Sequence, residues 1–210
     1  MRRTINIIFS ICVALHGIKA FATPLSIVNC ANNNEHTENT KLKLDSDKDQ
    51  LEDLSYEVNF PARIEYGRKA HTANQTPHVA MKIGDKWLAG SNRGEWGGEL
   101  VLIEPDKTHK ILLKDNIHEI FRTEVGIIVV AGLSHLMNSS GRVYLVSENG
   151  SNLDYTLLFG LDAAPEKSWM TSEGEIFINT SYGASIIRTD GTLKRALCKN
   201  HEYIKFKGRS

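Results

Sequence analysis

The chain has 210 residues, with 25 Lys and Arg against 25 Asp and Glu, 41% hydrophobic residues and three cysteines. A formal charge of zero leaves no basic footprint for neutralising phosphates, which argues against a nucleic-acid partner. The length suits one domain with a sizeable core.

Taken in order, the chain opens on Arg2 and Arg3. An apolar run follows from Ile5 to Leu15, and the stretch ends in Ala20-Phe21-Ala22. Charged start, apolar middle and small-x-small exit form the pattern of a cleavable signal peptide, predicted over residues 1–22. The apolar run covers about 11 residues, whereas a spanning helix needs about 20. No later segment reads as a transmembrane span. The expectation is an exported chain, periplasmic or extracellular, that begins near Thr23. Cleavage would remove Arg2, Arg3 and Lys19 and leave a net charge of −3. It would also remove Cys12, leaving Cys30 and Cys198, which an oxidising compartment is expected to join.

Residues 23–75 form a polar N-terminal segment, and 31–53 are too charge-rich to supply much core. Asp45, Asp47, Asp49 and Asp53 place oxygen ligands at positions 1, 3, 5 and 9, as calcium loops do. Gln50 stands where such a loop turns on glycine, and Tyr56 where the bidentate glutamate belongs. The competing reading is an acidic helix start capped by Asp45 or Ser46, with Leu51 and Leu54 facing inward. Residues 54–72 are expected to add two strands and part of a further blade.

From Thr76 the texture changes to short apolar runs between glycines and turn residues, an all-β pattern. Gly98–Ile103, Gly141–Val146 and Gly183–Arg188 begin 43 and then 42 residues apart. Each is preceded by another run (Lys86–Gly90, Gly126–Gly132, Gly174–Asn179) and followed by a third (His109–Leu113, Leu153–Leu158, Thr192–Leu197). Weaker runs open the units at Pro77–Ile83, Ile117–Thr123 and Glu166–Thr171. Four strands per unit at this period is the spacing of a β-propeller blade. The fold class expected is therefore all-β, a propeller-like stack of three to four four-stranded blades over 76–198, incomplete, followed by a tail at 199–210.

The stretch Ser172–Leu193, with Gly174-Glu-Ile-Phe-Ile, a polar corner, Ser185-Ile-Ile and Asp190-Gly191, resembles blades of the propellers that include NHL repeats and gluconolactonase-like proteins. The resemblance implies the architecture. For the lactonases it also implies a divalent metal in the central channel, held by acidic and amide side chains from several blades. No residues here match those ligands position by position.

With the strands of a blade lettered a to d outward from the axis, the a–b and c–d turns are short. The b–c connections, 91–98, 133–140 and 181–182, are expected to be the long loops that carry binding. They supply the candidate site: Arg93, Glu95, Trp96, His135, Asn138 and Tyr182. Arg and Trp are enriched at binding hot spots. The plainer reading pairs Arg93 with Glu95 under a packed Trp96. Gly132-x-Ser134 resembles half of a nucleophile elbow, but Leu136 replaces the required glycine. The functional expectation is a non-enzymatic exported protein that binds a protein or envelope partner through this face. A metal-dependent lactonase-like hydrolase is the alternative, and an assembly module that self-associates through an open sheet edge is a third reading.

Overall fold

The computed structural model describes residues 26–28, 41–60, 66–149 and 152–198. The expected leader, Cys30 and the tail at 199–210 lie outside the described residues. In chain order come β1 (Ser26–Val28), β2 (Lys41–Lys43), helix α1 (Lys48–Glu52), β3 (Tyr56–Phe60) and β4 (His71–Gln75). Three sets of four strands follow. The first holds β5 (Val79–Ile83), β6 (Lys86–Gly90), β7 (Leu100–Ile103) and β8 (His109–Leu113). The second holds β9 (Ile117–Thr123), β10 (Gly126–His135), β11 (Asn138–Asn149) and β12 (Asn152–Leu161). The third holds β13 (Pro165–Met170), β14 (Ile176–Thr180), β15 (Gly183–Ile187) and β16 (Leu193–Cys198).

Each set is an antiparallel meander, so every expected run is a strand, and the fold is an incomplete propeller-like stack with no closed sheet. The repeat reaches atomic detail at the c–d turns. Asp106 accepts hydrogen bonds from the Thr108 backbone (3.0 Å) and hydroxyl (2.6 Å), and Asp190 does the same for Thr192 (2.9 and 2.6 Å). The middle residue of both turns has a left-handed backbone, Lys107 at φ 69° and Gly191 at φ 79°.

Alternation along the strands divides the core into layers. Met81, Leu88, Leu100 and Leu102 of the first sheet meet Ile120, Ile127, Val129 and Val146 of the second. From the second sheet's other face, Phe121, Ile128, Val130 and Val143 meet Met170, Ile176, Ile178 and Ile187 of the third. Middle strands are covered on both sides, which is why they read as continuous apolar runs.

The N-terminal segment does more than cover one edge. β2 pairs with β5 on the axial side of the first sheet, and β1 runs parallel to β16 with Val28 opposite Cys198. β3 and β4 pair as a hairpin separate from the blades; β3 lies within the 54–72 expected to give two strands, but β4, at His71–Gln75, falls mostly beyond it. Leu51 and Leu54 of the helical segment, with Tyr56 and Val58, cover Ala80, Ala89, Val101 and Ile103 on the first sheet's outer face. Their own far side is polar, with Glu57, Asn59, Thr72 and Asn74 exposed. A polar outer layer is how stacked repeats end.

One expectation is corrected here. Residues 133–140 are not a loop: β10 and β11 continue in register through His135↔Asn138, leaving a two-residue turn at Leu136-Met137. Ser134, Ser139 and Ser140 read as loop residues by composition, but the ladder of the flanking strands carries them.

Candidate functional site

Gly98 closes the first sheet's b–c corner. A side chain there would run into the carbonyl of Ser91 and the backbone of Asp115 and Asn116, so the 91–98 connection folds flat against the β8–β9 connection. Asn116, itself buried, fastens it: its oxygen accepts from the Arg93 backbone (3.2 Å) and its amide donates to the Gly94 carbonyl (2.9 Å). Gly94–Trp96 then forms one 3-10 turn.

Arg93 does not pair with Glu95. Its guanidinium grips both oxygens of Glu99, each at 2.6 Å, and also donates to the Ser91 hydroxyl (3.2 Å). Glu99 is 4% exposed and accepts a further bond from the Tyr56 hydroxyl (3.1 Å), whose oxygen also lies 3.0 Å from the Ser91 hydroxyl. Burial, opposed by the Ser91 hydrogen bond and reinforced by the nearby Glu99 charge, raises the Tyr56 hydroxyl far above its usual range. Burial works against the Arg93 charge, but Glu99 outweighs it and holds the guanidinium above its ordinary value. The Arg93 guanidinium also lies 5.2 Å from the Phe60 ring, which stacks on His71. Arg93 is thus the pin that joins the β3–β4 cover to the first sheet, a half-buried guanidinium on a buried carboxylate.

Glu95 reaches across the sheets instead, to His135 Nε2 at 3.5 Å. Trp96 is 39% exposed, and the Arg68 guanidinium sits 3.7 Å from its ring centroid. Beyond His135 the hairpin ends in Leu136 and Met137, which are 91% and 98% exposed, and Leu136 holds a left-handed φ of 52°. Asn138 pairs with His135 at the base of this tip. The hairpin is braced from behind, where the Ala164 N–H donates to Ser139 (2.9 Å), and Gly132 leaves room for Pro165. At its flank, Asp115 accepts from Arg142 and from the Tyr144 hydroxyl, both at 2.9 Å; burial and this carboxylate push Tyr144 up to about 12.

The structure therefore brings Glu95, Trp96, His135 and Asn138 together, and adds Arg68, Leu136 and Met137. It turns Arg93 inward onto the buried Glu99. Tyr182 stands 63% exposed at the third sheet's corner, and no contact among the described residues links it to the group. Glu99 and Asn116 left no sequence signal beyond their place beside an apolar run and a turn.

On the axial side, Glu119 is buried and paired with Lys43 (2.7 Å) and Lys41 (3.4 Å), which anchors β2. His78 faces the His118 carbonyl (3.4 Å), and His118 faces the Gly132 carbonyl (3.1 Å). Burial holds both imidazoles below their ordinary value, with these hydrogen bonds acting against it.

The acidic segment does not form a cage. The helix begins at Lys48, after Asp47, and the Asp47 carboxylate turns back to the Lys43 N–H (3.0 Å) and the Ser46 hydroxyl. These bonds, the Ser46 one first, lower its pKa. Among the described residues no three His, Cys, Asp or Glu side chains are grouped to hold a metal ion, so Asp45, Asp47, Asp49 and Asp53 do not converge as the calcium reading required. Leu51 and Leu54 face inward, as the helix reading required, but the N-cap is Asp47 rather than Asp45 or Ser46, and its side chain makes no cap bond. No described helix is long and apolar enough to cross a membrane. The expected Cys30–Cys198 bond involves a residue outside the described ones; what ties the same regions here is the β1–β16 backbone pairing.

Compared with known proteins, the chain matches no family model, no curated protein and no solved structure.

Proposed function

We propose that this is an exported binding protein that engages a partner protein through the b–c face of its stack, with Leu136 and Met137 as the central contact. The observation that carries the reading is the hairpin tip. Two large apolar side chains stand almost wholly in water, and one of them holds a backbone conformation that L-residues avoid. Exposure and strain at one braced point work against the isolated protein, and such concessions cluster at functional sites. Burying each side chain against a partner would return about 1.5–3 kcal/mol. Trp96 under Arg68, and the Glu95–His135 pair, give the apolar tip a polar, aromatic rim of the kind that surrounds binding hot spots. The signal-peptide pattern and the Cys30–Cys198 pairing belong to the same proposal, which places the meeting outside the cytoplasm.

The test is capture from the native envelope or secretome with the exported chain as bait, read by mass spectrometry. Species held by the wild type should be lost with Leu136→Gly/Met137→Ser and weakened by Trp96→Ala, while circular dichroism stays unchanged. The same species retained by the double variant at wild-type yield would overturn the reading.

A further inference from the structure

The sheets of this stack differ in how their outer edges end. The third sheet's outer strand, β16, is covered by β1. The first sheet ends on β8, which is only five residues long and carries Lys110. The second ends on β12, ten residues long, and among the described residues only β11 pairs with it. Its sequence is Asn152-Leu-Asp-Tyr-Thr-Leu-Leu-Phe-Gly-Leu, with one charge, no lysine, no arginine and no proline. Edge strands are normally blunted by those residues or by a bulge. The register shift at Leu158 is such a bulge, but Asn152–Leu157 ahead of it run in unbroken register. On that regular stretch Tyr155 and Leu157 are 45% and 55% exposed and share one face of the strand.

We propose that β12 is a self-pairing edge: two copies of the chain join antiparallel through it, about a two-fold axis at Thr156. This goes beyond the partner-binding face, which lies at the b–c corners rather than on the outer rim. The register is self-complementary. It sets Tyr155 opposite Leu157 of the second copy, and the reverse, giving two aromatic–aliphatic cross-strand pairs of the kind that stabilise sheets. The regular ladder common to both copies is therefore Tyr155–Leu157, and the only charge, Asp154, falls opposite the bulge at Leu158 of the second copy. The two aspartates are then four residues apart along the ladder, about 13 Å. That exceeds the roughly 8 Å over which salt screens exposed charges. Asp154 is also held by the Asn149 amide at 3.0 Å within its own chain. An isologous contact of this form closes at two copies and does not propagate.

Sedimentation velocity of the exported chain over a wide concentration range tests it. The wild type should shift from monomer to dimer. Tyr155→Lys/Leu157→Lys puts like charges directly opposite each other in this register and should weaken the dimer by roughly tenfold or more. Tyr155→Lys/Leu157→Glu changes the same two positions but sets opposite charges across the pair, so it should restore the dimer. A wild type that stays monomeric at high concentration overturns the proposal. So does a double-lysine variant that dimerises like the wild type, or a Lys/Glu variant that folds by circular dichroism yet stays monomeric. If the double-lysine variant fails to fold, the wild type and the Lys/Glu variant decide between these outcomes.

Discussion

Arg93 shows how one side chain changes meaning between sequence and fold. Its spacing from Glu95 and Trp96 reads as an exposed grip, yet the guanidinium is spent on Glu99, in a network with Tyr56 and Ser91. Nothing in the linear order distinguishes Glu95 from Glu99; only the β6–β7 connection, folded flat by Gly98, decides which carboxylate lies inside. Arg93→Ala would leave Glu99 buried and uncompensated, so a loss of about 3–5 kcal/mol is expected in denaturant unfolding. Arg68→Ala, at the exposed Trp96, should cost less than about 1 kcal/mol. Comparable losses in the two variants would refute the assignment of Arg93 as the partner of the buried Glu99. The axial histidines make a second case. Because burial depresses His78 and His118, the unfolded chain binds more protons than the native one just below its own histidine pKa, near 6.5. Their contribution is therefore intact above that value and is lost as pH falls from it through the lower folded values. Thermal melts from pH 7.5 to 5 should show this decline, and His78→Gln/His118→Gln should flatten it.

At the scale of elements, the strands were legible in the sequence because the middle runs are apolar throughout and the glycines punctuate them at a steady period. What was not legible was how far the second set extends. The turn at Leu136-Met137 has none of the glycine or asparagine that normally marks a two-residue hairpin, so Leu133–Ser140 reads as a loop. The strand pairing with β11 overrides that local chemistry and accepts a left-handed leucine in exchange. Leu136→Gly separates the two effects. Relief of the backbone strain, less the extra entropy of glycine in the unfolded chain, should leave stability unchanged or raise it by up to about 1 kcal/mol. A clear destabilisation in denaturant melts would mean that Leu136 packs against the rest of the protein, and that its exposure is no guide to function. The Asp106–Thr108 turn is similar: Lys107 occupies the left-handed position that Gly191 holds in the third sheet, which is why only the later turn stood out.

For the whole molecule the question is how an open stack of three sheets ends without exposing a core. The charge-rich composition of 31–53 suggests mere surface cover, and that reading undervalues it. Leu51 is fully buried and Leu54 nearly so, because the short helix and the turn that follows it set both on the first sheet, while the helix's charged residues face water. With the β3–β4 hairpin it forms a lid that is apolar inside and polar outside, locked by Arg93–Glu99 and Tyr56. This lid closes the first sheet's end of the open stack. Truncating it should then do more than lower stability. Leu51→Ala should cost about 2–5 kcal/mol by the cavity it leaves. Combined with Val58→Ala it should loosen the lid and uncover Ala80, Ala89, Val101 and Ile103, an apolar sheet face that other copies can meet. The expected signature is binding of a hydrophobic dye at temperatures below the main melt, with association that persists when Tyr155→Lys/Leu157→Lys is added. A double-truncation variant that melts in one step and binds no dye beforehand would show that the lid and the three sheets unfold as one unit.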